Sequence, residues 1–290
     1  MLSGAVILSA LELGCVYALV ALALLVSFRI LNIADMTTDG SFTLGCAVSA
    51  TMAVAGHPIL ALPAAMLAGA AAGSITALLQ TRFRIPSILA GIITNTGLYT
   101  VNLAVMGFSS NVNMLKTDTV FTLLRPLLGP AYRIVPAATV AILSAVLLVL
   151  FLKTRLGLSI RATGDNPDMV RASSINTGFT ITVGLCLSNS LTALSGALLA
   201  QYQKTADINL GTGMVIIGLA SLIIGENLFS RGKLWMKAAG ALVGSLLYRF
   251  IIAIALRLDL PSECLKLISA VIVALAIGLP SLKKGRKAAC

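Results

Sequence analysis

Long apolar runs recur along the whole chain, and they constrain its fold more than any other feature. Most are close to the roughly 20 residues that a helix needs to cross about 30 Å of hydrocarbon. The windows are Gly4 to Phe28, Ser41 to Ala55, Ile59 to Leu79, Ser87 to Met106, Ile134 to Leu152, Gly178 to Ala200, Gly211 to Phe229, Trp235 to Leu256 and Leu265 to Leu279. The sequence therefore predicts an all-α, polytopic integral membrane protein of about nine transmembrane helices, with residues 1–290 forming one domain.

The composition excludes an ordinary soluble domain, because 58% of the residues are hydrophobic and only 11% are charged. The formal net charge of +11 comes from Lys and Arg residues that are spread over the short segments between the apolar windows. Such a distribution is typical of contacts with lipid head groups and of the positive-inside rule. We therefore expect a lipid membrane, and no nucleic acid, as the partner of these charges.

The distribution of Lys and Arg also predicts the orientation in the membrane. With the N-terminus outside, about 14 of the 21 basic residues fall in cytoplasmic segments, and about six fall in outer ones. This N-out, C-in arrangement makes 107–133 an outer loop and 153–177 a cytoplasmic loop. The outer loop contains the apolar stretch Val120 to Leu124, which predicts a short surface helix.

Two further patterns concern the packing of the windows. Ser41 to Ala55 is short for a full crossing, which favours a broken or re-entrant segment that lines a protein cavity. The pairs Gly69/Gly73 and Gly240/Gly244 have the small-xxx-small spacing that is typical of close helix contacts.

A faint internal repeat links two segments that lie on opposite sides of the predicted membrane. Ile33 to Met36 leads to Gly40 and a helix of small residues, and Thr205 to Ile208 leads to Gly211 and a second such helix. The pattern predicts an inverted repeat. Chance similarity between two short loops is the alternative.

The 153–177 segment carries the clearest local motif. Asn166 is a good helix cap, Pro167 suits the first helical position, and Asp168 complements the positive end of a helix. The residues that follow predict an exposed apolar knob with a charged rim, suited to a groove on another protein. The predicted helix and knob comprise Asn166, Pro167, Asp168, Met169, Val170, Arg171 and Ala172.

Glu12 and Arg249 are charged residues within apolar windows, where an ionised side chain is costly unless it is paired or functional. Both lie roughly 10 to 12 Å below the predicted outer surface, at 1.5 Å of rise per residue. The matched depth predicts an ion pair. The alternative is that each side chain reaches water independently.

Glu226 is expected in a solvated ionic cluster with the basic residues of 231–237.

Hydroxyl and amide side chains in the fourth window are candidates for a substrate path. They are Thr94, Asn95, Thr96 and Asn102. The alternative is that they form hydrogen bonds between helices. We predict no catalytic, cofactor or metal site, since the cysteines lack metal-like spacing and the stretch around Gly232 and Lys233 lacks the spacing of a phosphate-binding loop.

The 153–177 segment resembles the coupling segment of ABC permeases of the branched-chain amino-acid and ribose type, and the similarity extends over nearly the whole chain. Within that family, several segments resemble a branch whose binding proteins handle tryptophan or tyrosine. They are Leu11 to Gly14, Tyr17 to Leu22, Asp39 to Gly45, Ile217 to Glu226 and Tyr248-Arg249. Asn95 and Thr96 differ from the more apolar pair expected in that branch.

The resemblance implies the permease subunit of an importer in the bacterial inner membrane, without enzymatic activity of its own. It implies a second copy of the chain, an ATPase dimer that binds ATP and Mg in the cytoplasm, and an extracytoplasmic substrate-binding protein. The implied substrate is an amino acid, with an aromatic one favoured. Nucleosides or sugars are alternatives, and Glu12 leaves an ion-coupled secondary transporter open.

Overall fold

The computed structural model describes residues 4–229, 233–256 and 271, and nearly all of the elements in these ranges are helices. The helices are α1 (Gly4–Leu24, continued by a π-helix, Leu25–Ile30), α2 (Thr38–Val54), α3 (Ala61–Thr81), α4 (Ser87–Val105), α5 (Val120–Leu128, continued by a 3-10 turn, Gly129–Ala131), α6 (Ile134–Lys153), α7 (Arg155–Asp165), α8 (Pro167–Ala172), α9 (Thr177–Gln203), α10 (Met214–Leu228) and α11 (Leu234–Leu256). Two short strands, β1 (Asn111–Asn113) and β2 (Thr205–Asp207), pair antiparallel.

Six helices of the described ranges are long and apolar enough to cross a membrane. They are Val6–Ile30, Ala61–Thr81, Ser87–Val105, Ile134–Lys153, Thr177–Gln203 and Leu234–Ala255. The windows Ser41 to Ala55 and Gly211 to Phe229 correspond to the shorter helices α2 and α10. The ninth window, Leu265 to Leu279, lies outside the described residues apart from Val271. The predicted count of nine is therefore not confirmed.

The long helices α1 and α9 lie side by side in opposite directions. The Tyr202 hydroxyl donates to the Glu12 carboxylate at 2.7 Å, and the Ser188 hydroxyl donates to the Ala23 carbonyl at 2.8 Å. The residue number falls along one helix as it rises along the other, so the helices are antiparallel. We call the end of the bundle near Glu12 the Glu12 end, and the opposite end, near Arg29, the Arg29 end.

The packing around these two helices repeats. α2 and α3 pack against α9 and against each other, and α10 and α11 pack in the same way against α1 and each other. Asp35 and Asp207, which follow α1 and α9, each accept a hydrogen bond from the backbone N–H two residues later, at Thr37 (2.9 Å) and Asn209 (2.8 Å). A short helix comes next in both cases. This is the arrangement that the inverted repeat predicts.

α2 begins near the middle of the bundle rather than at its surface. Asn189, the thirteenth of the 27 residues of α9, donates to the buried Asp35 carboxylate at 2.7 Å and accepts from the Ser41 hydroxyl at 2.6 Å. At its other end, the carbonyl of Pro58 accepts from Gln201 close to the end of α9. A 17-residue helix therefore suffices to reach the Glu12 end from the bundle interior.

The buried network around Asn189 gives a testable result. Asn189→Leu should lower the free energy of unfolding by about 3 kcal/mol, because it leaves the Asp35 carboxylate and the Ser41 hydroxyl short of partners in an apolar interior. Thermal unfolding in detergent would measure the change. Ser190→Ala is the matched control, since that hydroxyl donates only within its own helix, to Leu187. Equal small changes for both variants would contradict a structural role for the network.

The predicted close helix contacts are confirmed. A Cβ at Gly69 or Gly73 of α3 would overlap backbone atoms of α9. In α11, a Cβ at Gly244 would overlap the backbone of α10, and one at Gly240 would make a tight contact of 3.1 Å with the Gly225 carbonyl oxygen. Without side chains at these positions the helix axes approach closely, which increases dispersion contacts where the hydrophobic effect gives little drive for association.

The 107–133 segment contains the short helix that its apolar stretch predicts. Thr119 caps α5 in a reciprocal capping box with Thr122, and the N–H of Val120 donates to the Gln201 amide at 2.8 Å. β1 of the same segment pairs with β2. The segment is thus fixed against the Glu12 end of the bundle.

Candidate functional site

A cavity of about 310 Å³ lies where the first turns of α2 and α10 meet beside α4. It is lined by Asp39, Gly40, Thr43, Asn95, Thr96, Tyr99, Asn102, Ile208, Asn209 and Thr212. Among the described lining residues, Asp39 is the only charged one. The part of the cavity wall that the structure describes is therefore mostly polar, inside a mostly apolar bundle.

Asp39 holds the start of α10 in place. Its two carboxylate oxygens accept hydrogen bonds from the N–H groups of Gly213 at 2.9 Å and Val215 at 3.0 Å. N–H groups in the first turn of a helix lack partners within the helix, and the positive end of the helix dipole favours a carboxylate there. We did not predict Asp39 as a site residue, although a lone acidic residue bordering an apolar window was an available signal.

Three of the four predicted path residues line this cavity, namely Asn95, Thr96 and Asn102. Thr94 does not line it, because it is buried and donates to the backbone carbonyl one turn earlier. Asn102 also makes a hydrogen bond between helices, from its Nδ2 to the Gly40 carbonyl at 3.2 Å. The two interpretations of Asn102, path residue and interhelical contact, are therefore compatible.

The predicted ion pair between Glu12 and Arg249 is wrong for this structure, since the ion pairs of 4–229 and 233–256 do not include it. Glu12 is buried and accepts from the Tyr202 hydroxyl on α9, whereas the Arg249 guanidinium lies 4.0 Å from the ring centroid of Tyr17. Glu12 and Tyr17 are five residues apart on α1, which places them about 140° apart around the helix. Arg249 therefore contacts a different face of α1 from the one that carries Glu12, so an equal depth in the membrane does not bring the two side chains together.

The helix start predicted in the 153–177 segment is confirmed. The Asn166 side chain accepts from the N–H groups of Asp168 and Met169, both at 3.1 Å, and Pro167 is the first residue of α8. Arg171 Nη1 lies 3.4 Å from an Asp168 carboxylate oxygen across one turn. The N-terminal cap and the proline therefore define where this six-residue helix begins.

The predicted apolar knob is only partly exposed. Met169 has 68% of its surface exposed and Ala172 is exposed, but Val170 is only 4% exposed. The chain folds back beneath Val170, whose carbonyl accepts from the N–H of Ile175 at 3.3 Å. Neighbouring helical residues point about 100° apart, so Val170 anchors α8 while Met169 projects from it.

The same segment is fixed to the Arg29 end by close backbone packing. A Cβ at Gly164 of α7 would overlap the carbonyl oxygen of Ile30, the last residue of the π-helix. The hydroxyls of Thr163 and Thr180 share a hydrogen bond of 2.8 Å, which ties α7 to the start of α9. A displacement of α7 would therefore act directly on the π-helix that ends α1 and on the start of α9.

Glu226 has a different partner from the one expected. Its Oε1 lies 2.7 Å from Nε of Arg29 in the π-helix. The expected cluster with the basic residues of 231–237 is only partly testable, since 231 and 232 lie outside the described ranges. The pair links the Arg29 end of α1 to the last turn of α10. α10 thus runs between this ion pair and the capped N-terminus at Asp39.

In the described ranges, no group of three or more His, Cys, Asp or Glu residues could hold a metal ion.

The family model for the permease component of branched-chain amino acid transport systems matches residues 6–277. The chain belongs to this permease family. It is therefore an ABC transporter permease, a multi-pass protein of the bacterial inner membrane and a transport subunit rather than an enzyme.

Individual relatives agree with the family. The permease is 36% identical over 268 residues to the tyrosine transport system permease protein of Clostridioides difficile (strain R20291). This match covers 92% of the permease and 88% of the relative. It is 25% identical over 258 residues to the ribose import permease protein of Escherichia coli (strain K12), covering 86% and 78% of the two chains.

A solved structure has the same fold. It is an inward-facing conformation of an ABC transporter assigned to the metal-chelate type, with 18% sequence identity and a TM-score of 0.50, and the match covers 96% of the permease and 85% of that chain. At this identity the likeness concerns the fold alone.

Proposed function

We propose that the permease is the membrane subunit of an importer that moves an amino acid, most favourably an aromatic one, into the cytoplasm. The observation that carries the proposal is the 36% identity to a tyrosine transport permease over nearly the full length of both chains. The polar cavity beside α4 supports it, since about 310 Å³ is within the range of small-molecule sites. The ribose relative keeps sugars and nucleosides as the second candidate.

The proposal includes one transmembrane domain over residues 1–290, with the Glu12 end outside and the Arg29 end in the cytoplasm. The excess of Lys and Arg in the predicted cytoplasmic segments supports this orientation. The 107–133 segment is then external and the 153–177 segment cytoplasmic. An ion-coupled mechanism has less support, because Glu12 accepts a hydrogen bond from Tyr202 in the folded chain.

We propose that the 153–177 segment docks an ATPase dimer, which binds ATP and Mg and supplies the energy. Met169 projects from α8, and Arg171 of the same helix lines an open cavity of about 840 Å³ at the Arg29 end together with Arg84 and Thr177. An exposed apolar side chain next to basic residues is suited to a groove on a partner. The contact of Gly164 with Ile30 would pass a movement of the ATPase to α1.

The transporter is also proposed to contain a second copy of the permease. Among the described residues, the cavity beside α4 is open on one side, and Thr96 and Tyr99 on its wall are exposed. A second copy against α4 would enclose the path and separate it from lipid, which a polar lining requires.

An extracytoplasmic binding protein is proposed to dock at the Glu12 end. A cavity of about 300 Å³ there is lined by Arg125, Arg133 and Lys204 together with Tyr132 and Tyr202. The Arg133 guanidinium lies over both tyrosine rings, 5.3 and 5.4 Å from their centroids. Arginine held against aromatic rings next to other cations is suited to acidic side chains of a partner.

Reversing charges in this cavity should weaken docking. The double variant Arg125→Glu/Lys204→Glu should raise the Kd for the binding protein at least about ten-fold. Charges at the rim of an interface mainly govern the encounter of the two proteins and their register. Binding of the labelled partner to the permease in nanodiscs measures the effect. The control is Arg82→Glu, an exposed charge reversal at the Arg29 end. An unchanged Kd in the double variant would place docking elsewhere.

The substrate is tested on the partner binding protein by calorimetry. Tyrosine, tryptophan, branched-chain amino acids, nucleosides and ribose are titrated in turn. The proposal expects saturable binding of aromatic amino acids. Saturable binding of only sugars or nucleosides would overturn the amino-acid assignment and leave the second candidate.

A further inference from the structure

We propose that the groove between α6 and α11 binds one acyl chain of an anionic phospholipid, whose phosphate is held by the Lys153 ammonium at the Arg29 end. The inference concerns the membrane around the permease and goes beyond the proposed function. It does not depend on which solute is moved or on the ATPase and binding protein.

The groove is a cavity of about 270 Å³ between the two helices, and its described lining is entirely apolar. Ala145 of α6 and Ala238 of α11 line it and are buried, so they form its floor. Larger side chains, among them Ile142, Leu150 and Trp235, line it and are exposed, so they form its walls. Small residues between large ones leave a narrow channel, which suits an unbranched hydrocarbon chain.

The end of α6 and the start of α11 lie at the same end of the bundle. α7 follows α6 after Thr154 and packs against Ile30 at the Arg29 end. Gly240, in the second turn of α11, packs against Gly225, which precedes Glu226, the partner of Arg29. The two helices therefore run in opposite directions, and the groove has one end at the Arg29 end of the bundle.

Lys153 extends the groove at this end. It is the last residue of α6 and lies four and three residues after Val149 and Leu150, which both line the groove. Residues three or four apart share one face of a helix. The Lys153 side chain is exposed and takes part in neither ion pair of the described ranges. Its apolar stem can lie along the groove while its ammonium reaches the head groups.

The charge and the aromatic residue at this end favour an anionic lipid. Arg155 and Lys233, which flank the same helix ends, are exposed, and neither α6 nor α11 contains an Asp or Glu. Basic residues between transmembrane helices favour anionic head groups. Trp235 is 54% exposed, and tryptophan is enriched at the level of the head groups. The second copy of the permease is proposed against α4, so it does not use this face.

Fluorescence of Trp235 tests the assignment, because it is the only tryptophan in the chain. The full-length permease is placed in phosphatidylcholine nanodiscs with increasing fractions of phosphatidylglycerol that is brominated in its acyl chains, since bromine quenches an indole that it contacts. Brominated phosphatidylcholine is the comparison. We expect half-maximal quenching at an at least five-fold lower fraction of the brominated phosphatidylglycerol.

Variants locate the effect. Lys153→Gln, which removes the charge, and Ala239→Leu, which narrows the groove, should each raise the half-maximal phosphatidylglycerol fraction at least about three-fold. Arg82→Gln is the charge control, because it removes an exposed cation at the same end that does not line the groove. Ala104→Leu, at an exposed position on α4, is the size control. The wild-type comparison of the two lipids does not depend on the folding of any variant.

Three outcomes would overturn the inference. Equal half-maximal fractions for the two lipids would show ordinary contact with the bilayer, without selection of a head group. A Lys153→Gln variant that matches Arg82→Gln would remove the assigned cation. Quenching by neither lipid would show that protein covers Trp235 instead. None of these results affects the proposed transport of an amino acid, so the two proposals fail separately.

Discussion

Met169→Asp should reduce ATP-driven uptake strongly while the permease remains folded. The Met169 side chain is 68% exposed on α8, so its replacement removes no packing within the chain. In the proposed complex the same side chain is buried in a groove of the ATPase, where an aspartate would be desolvated without a partner. We expect at least a ten-fold loss of uptake and loss of the ATPase on co-purification.

Two comparisons make this prediction specific. Leu127→Asp places the same charge on an exposed apolar position at the Glu12 end and should leave ATPase binding intact. Val170→Asp changes a buried residue and should lower the Tm of the permease itself. Normal uptake and ATPase binding by Met169→Asp at normal expression would show that α8 does not dock the ATPase.

Gly196→Ala should destabilise the permease strongly although it adds only one methyl group. A Cβ at Gly196 of α9 would overlap the carbonyl oxygen of Phe42, and a Cβ at Gly45 of α2 would overlap that of Ala193, so the two helices meet backbone to backbone. Since neither backbone can move aside without breaking the buried contacts of α2, we expect a loss of about 3 kcal/mol or more. Thermal unfolding in detergent measures it.

Gly97→Ala is the matched control for the glycine prediction. Gly97 lies in α4, and a Cβ there would meet nothing within 4 Å. Alanine has the higher helix propensity, by up to about 1 kcal/mol, so this variant should be neutral or slightly more stable. A similar Tm for Gly196→Ala and Gly97→Ala would contradict the close approach of α2 and α9.

Local patterns predicted much of the fold correctly. Eight of the predicted windows correspond to helices in the described ranges, because runs of apolar residues are sufficient to indicate helices in a membrane protein. The cap at Asn166, the start at Pro167 and the close contacts at Gly69 and Gly73 also follow from neighbouring residues. Each depends only on interactions within a few residues or on one helix face.

The errors concern long-range geometry. Depth along a helix can be counted from the sequence, but the face that Glu12 presents depends on where α9 packs, so the pair with Arg249 was wrong. Val170 is buried because the chain reverses after α8. The position of Asp39 beside an apolar window could mark it as notable, but its partner, the first turn of α10, depends on the return of the chain from β2 into the bundle, which no local pattern indicates.

The most direct test of the account is reconstitution of the permease in proteoliposomes with its ATPase and binding protein. We expect tyrosine-stimulated ATP hydrolysis and ATP-dependent accumulation of tyrosine, both lost when either partner is omitted. Accumulation by the permease alone, driven by a proton or sodium gradient without ATP, would contradict the account.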